Sequence, residues 1–154
     1  MSGAGRNVGG MNTEPQLIDP FLTDFVQRYS YRKQGAARAR VRYLDRLLRW
    51  FLEETSRTLS CEHCQSLLDA ERVLNPVGAY ARVMDVDALM RRLLVFVHPP
   101  WLLTDPTMQV TQWKFVEASI NVAQEGTLCP CPDCAAAVAN LRAHIDIKLH
   151  PNRR

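Results

Sequence analysis

Apolar residues recur along this chain at intervals of three and four and never alternate for long, so the pattern reads as a succession of helices. Phe21, Leu22, Phe25, Val26 and Tyr29 form the first run. Asp19-Pro20 precedes it as an N-cap followed by proline at the first helical position, which predicts a helix of about three turns. Gly35 breaks the pattern. From Ala36 to Thr58 the strongest helix follows, with Val41, Leu44, Leu48, Phe51 and Leu52 on one face. Leu67, Leu68 and Val73 predict a short helix that Asn75-Pro76 and Gly78 terminate. Asp85 caps a further one carrying Val86, Leu89, Met90, Leu93, Leu94 and Val97, which Pro99 must stop. Asp105-Pro106 repeats the cap-and-proline signal and opens a helix with Val110, Trp113, Val116, Ile120 and Ala123 inward and Gly126 at its end. The last helix starts near Asp133 and turns Val138, Leu141, Ile145 and Leu149 inward.

Six helical segments and no strand hairpin predict an all-α fold, a single compact domain of five to six helices. That domain is expected to span residues 17–150. Residues 1–16, rich in Gly, Asn, Thr, Glu and Pro without periodicity, read as a disordered arm, and 151–154 as a basic tail. The longest apolar runs, such as Leu93 to Val97, fall far short of the roughly 20 residues that cross a bilayer. Met1 to Gly10 lacks the apolar core of a secretory signal, so a cytoplasmic or nuclear location is expected, where thiols stay reduced unless catalytic or metal-bound.

The net charge of +3 conceals an uneven distribution. Between positions 28 and 49 lie Arg28, Arg32, Lys33, Arg38, Arg40, Arg42, Arg46 and Arg49 against the single anion Asp45. Arg38, Arg42, Arg46 and Arg49 share one stripe of the long helix, beside its apolar face. The stripe is either a solvated helix surface or the place where nucleic acid or an acidic protein partner binds.

All five cysteines fall into two clusters, Cys61 and Cys64 near one helix start and Cys129, Cys131 and Cys134 near another. A Cys-x-x-Cys pair turns both sulfurs toward one point and supplies half of a tetrahedral zinc site with Zn–S distances of about 2.3 Å. The expected metal ligands are therefore Cys61, Cys64, Cys131 and Cys134, a zinc clasp closing across the 66 residues between Cys64 and Cys131. Helix starts favour the thiolate form that ligation needs. One thiol is left over, so Cys129 is an alternative ligand, as is His63 inside the first pair. Cys131-x2-Cys134-x9-His144-x5-His150 resembles a shortened Cys2His2 finger and makes His144 and His150 further alternatives. Ten helical steps would, however, hold Cys134 and His144 about 15 Å apart. His98, beside Pro99-Pro100, reads as a helix-end or core histidine.

A dithiol at a helix start can instead carry redox chemistry. A long helix ending in Cys61-Glu62-His63-Cys64-Gln65, then Asn75-Pro76, then an apolar helix ending in Val97-His98, resembles the core of small viral flavin-linked sulfhydryl oxidases over about a third of the chain. The resemblance implies a four-helix FAD-binding bundle in which Cys61 and Cys64 pass electrons to the flavin. The first helix lacks the Trp and His that pack flavin in those enzymes, and Pro99-Pro100-Trp101-Leu102 follows His98 where they continue His-x-x-x-Asn. No Gly-rich phosphate loop, His-Glu-x-x-His or glycine-flanked Ser elbow is present. Catalysis is thus the secondary expectation. The primary one is a zinc-stabilised, zinc finger-like regulatory protein that binds nucleic acid or an acidic partner through its basic helix.

Overall fold

The computed structural model describes residues 15–57, 59, 61–126, 128–129 and 131–153. Most of the arm expected over 1–16, and Arg154 of the basic tail, lie outside the described residues. Seven helices follow in order: α1 (Ile18–Ser30), α2 (Gly35–Thr55), α3 (Glu62–Leu74), α4 (Ala79–Val83), α5 (Val86–Phe96), α6 (Pro106–Gln124) and α7 (Pro132–Leu149). The fold is all-α and forms one compact domain. Among the described residues the one extended pairing is an isolated antiparallel bridge between Leu17 and Asp85, and no helix is long and apolar enough to cross a membrane.

α2 is the hub, because its apolar stripe is the longest in the chain. Val41, Leu44, Leu48, Phe51 and Leu52 are all buried, and α2 packs against α1, α4, α5 and α6. Phe51 meets Phe96 at a ring-centroid separation of 5.3 Å and Trp101 at 5.1 Å. Phe25 and Tyr29 of α1 close edge-on around Phe115 of α6. α7 lies on α5 and α6 through Val138, Leu141 and Ile145. α3 packs on α4 alone and buries only Leu68.

Several starts and stops follow the sequence chemistry. Asp85 accepts the Ala88 N–H and caps α5, and Asp105 accepts the Met108 N–H ahead of Pro106 in α6. Asp19 does not cap α1. The helix begins one residue earlier, and the Ile18 N–H is taken by the Met84 carbonyl at 2.9 Å because Leu17 lies alongside Asp85. Asp19 is left to pair with Arg49 of α2 at 2.5 Å. Gly35 opens α2 with φ +54°, a left-handed conformation suited to glycine. α2 ends at Thr55, short of Thr58. Leu67 and Val73 are exposed rather than inward, since a helix with one neighbour needs only one covered side. The short α4 was not foreseen; Glu53 of α2 accepts the Tyr80 N–H at 2.5 Å in its first turn.

A buried Gln112 secures the turn after α5. Its Oε1 accepts the Leu103 N–H at 3.0 Å, while Nε2 donates to the carbonyls of Phe96 (3.0 Å) and Trp101 (3.3 Å). Gln112→Leu strands these main-chain groups and should cost about 1–3 kcal/mol in urea unfolding. Nearby, the rings of His98 (α5 end) and His144 (α7) lie against each other, centroids 4.3 Å apart and planes tilted by 33°. Burial, then His98 and Lys148, lowers the His144 pKa below the ordinary 6.5. On acidification the unfolded chain protonates at this position first, so its contribution is complete above pH 6.5 and lost as pH falls through the lowered native value. Stability measured from pH 7.5 to 5 should decline less steeply in His144→Gln than in the wild type.

Candidate metal centre and basic face

Two thiol-bearing turns are built alike. Cys131 is the N-cap of α7, its Sγ accepting the Cys134 N–H at 3.4 Å, with Pro132 in the first turn. Cys61 is the N-cap of α3, its Sγ accepting the Cys64 N–H at 3.5 Å. In each pair the leading sulfur faces free backbone N–H groups of a helix start, which favour a thiolate. Cys61 and Cys131 accordingly lie below the ordinary thiol range. The Cys64 N–H and the Cys134 side chain, respectively, are the leading causes. Cys64 is raised, chiefly by its hydrogen bond to Cys61. Cys134 is pushed up to about 12 by its hydrogen bond to Cys131, then burial, then the charge of Asp87.

What differs is the third sulfur. Cys129, Cys131 and Cys134 have Sγ atoms all within 4.8 Å of one another. Tetrahedral bonds of about 2.3 Å put thiolate sulfurs roughly 3.8 Å apart, so small side-chain adjustments fit the trio to one cation. Cys134 is buried, Cys131 half-buried and Cys129 exposed. The Cys129 N–H donates to Asp87 Oδ1 at 2.9 Å, and Arg91 Nη1 approaches Cys134 Sγ at 3.9 Å. Asp87 and Arg91 stand one turn apart on α5 and fasten the cluster to it.

The set assembled therefore differs from Cys61, Cys64, Cys131 and Cys134. Cys129, an alternative in the sequence, joins Cys131 and Cys134, while Cys61 and Cys64 belong to no group of three at this spacing among the described residues. The reason is packing: no Cα of α3, which carries Cys64, lies within 8 Å of α7. His63 is exposed on α3. The finger arrangement with His144 and His150 does not form either. α7 is continuous from Pro132 to Leu149, His144 lies against the His98 ring, and His150 is the C-cap at the opposite end from Cys134.

The basic stripe divides into two parts. Arg49 is consumed by structure, bonding Asp19, Asp45 (3.0 Å) and Thr23 (3.4 Å) to lock α1 onto α2. Arg38 is half-buried and donates to the Tyr31 carbonyl at 3.3 Å. Arg42 and Arg46 are exposed and make no ion pair among the described residues. Tyr43 and Trp50 are 43% and 58% exposed and flank Arg46 at helical spacing. Trp50 keeps one edge on Trp101 at 5.3 Å.

Binding a divalent cation at the trio must displace the Cys134 proton, so affinity should rise about tenfold per pH unit for each proton released. Titration in weakly buffered solution should register that release. With free metal at 100 times Kd, the melting transition should gain about 2.7 kcal/mol, and Cys134→Ser should abolish the gain. Comparison of the chain with protein-family models, with curated proteins and with solved structures finds no match.

Proposed function

We propose that this protein is a zinc-stabilised helical regulatory module that binds single-stranded nucleic acid along the exposed face of α2. The observation that carries the reading is a stripe of unmatched cations on one helix. Arg28, Arg49, Arg57, Arg72 and Arg82 are each matched to a carboxylate, whereas Arg38, Arg42 and Arg46, four residues apart along one stripe of α2, have none within 4 Å among the described residues. Cations left unmatched on one surface of a chain carrying only +3 overall concentrate positive potential there.

Exposed aromatic rings beside those cations favour nucleic acid over an acidic protein. Tyr43 and Trp50 bracket Arg46, and stacking of bases on such rings contributes about 1–3 kcal/mol per base. A groove of about 880 Å³ continues from Arg46 and Trp50 past Arg57 and Arg72 to Val77 and Arg82, with Asp19, Glu53 and Glu54 also on its wall. Zinc suits the trio because thiolate sulfur selects soft cations and a tetrahedral shell. Its role in this reading is structural, tying the segment before α7 to that helix and to α5.

Anisotropy of a labelled oligonucleotide over a salt series tests the proposal. For single strands log K falls by about 0.7 per phosphate neutralised, so Arg42→Gln with Arg46→Gln should reduce the slope by about 1.4 while leaving the melting temperature unchanged. A shallow salt dependence, or binding indifferent to both substitutions, would sink it. Elemental analysis beside an absorption spectrum separates this reading from the flavin-linked oxidase one: one equivalent of zinc in colourless protein supports it, and a flavin band without metal overturns it.

A further inference from the structure

Three thiolates leave one corner of a tetrahedral shell open. We propose that the carboxylate of Asp87, from the first turn of α5, fills it, an inference that rests on the reading of the trio as a zinc site. Three observations converge on this side chain. Its Oδ1 already holds the Cys129 N–H at 2.9 Å, and no hydrogen bond to its second oxygen occurs among the described residues. α5 and α7 pack directly together, so the helix bearing Asp87 is fixed against the helix bearing Cys134. Arg91, one turn further along α5, reaches the Cys134 sulfur at 3.9 Å.

The charge balance explains why an arginine belongs there. Three thiolates, one carboxylate and a divalent cation leave a net charge of −2, and Arg91 offsets half of it while donating to a ligand sulfur, as outer-shell partners of metal ligands do. Other candidates are badly placed. Cys64 and His63 ride on α3, which brings no Cα within 8 Å of α5 or α7. His144 and His150 are about 15 Å or more along α7 from Cys134. The carboxylate lies outside the 4.8 Å sulfur group, so completing the shell requires Asp87 to swing toward the sulfurs. The clasp expected from Cys61 and Cys64 is thus formed by α5, and it closes over residues 87–134.

Cobalt(II) in place of zinc reads the ligand set directly, because sulfur-to-cobalt charge-transfer intensity scales with the number of thiolates. Asp87→Asn retains the hydrogen-bond acceptor for Cys129 but loses the anionic ligand. It should weaken cobalt binding at least about tenfold and change the visible d–d bands, with the far-ultraviolet circular dichroism unaltered. Asp87→Cys should raise the charge-transfer intensity by about one third as three thiolates become four. Cys61→Ser with Cys64→Ser should leave the spectrum unchanged. Wild-type spectrum and affinity persisting in Asp87→Asn, or thiolate intensity lost in the Cys61/Cys64 variant, overturns the assignment of Asp87 while the zinc reading stands. Wild-type protein that binds neither cobalt nor zinc overturns both.

Discussion

A helix can bury only part of its circumference, and α2 gives its whole apolar arc to four neighbours. Phe51 and Leu48 cannot face the core without turning Arg42 and Arg46 to solvent, since the two sets are fixed on opposite sides by the 100° step per residue. The exposed cationic surface is therefore a by-product of how the core is closed. Even its extent is set by packing, because Arg49, nearest the α1 contact, is withdrawn into ion pairs with Asp19 and Asp45.

The thiol cluster obeys a similar logic at the other end of the chain. An N-capping cysteine accepts from the backbone N–H of its helix start, and Cys129 brings its Sγ to the same point. One thiol-bearing turn stands before α3 and the other before α7. Only the second is joined to α5 by hydrogen bonds among the described residues. Two chemically equivalent sequence motifs thus acquire different surroundings from the helices that carry them.

Much of the helical order was legible. The apolar stripes of α2 and α5 and the Asp85 and Asp105 caps are local signals, and local signals survive folding. What escaped was set by contacts distant in sequence. Asp19 reads as a cap until Leu17 is seen beside Asp85, which satisfies the Ile18 N–H by another route. α4 is too short for any period to register. The pairing of Cys61 and Cys64 with Cys131 and Cys134 followed from motif spacing, which says how sulfurs converge within a turn and nothing about which turns meet. Cys129 was visible as a spare thiol, and the position of Asp87 two residues after a capping Asp85 held no sign of its contact with residue 129. The exposure of Trp50 and Tyr43 was not legible, because periodicity places them near the apolar arc without saying where the neighbouring helices stop.

The solitary attachment of α3 to α4 has a thermodynamic consequence. With Leu68 its sole buried apolar side chain and the ion pairs Arg72–Glu53 and Arg82–Glu71 holding its far end, detaching this helix exposes little surface. Its amides should then exchange with deuterium through a subglobal opening well below the free energy that unfolds the α2–α5–α6–α7 core. The Cys61 and Cys64 sulfhydryls accordingly belong to the least cooperative part of the molecule.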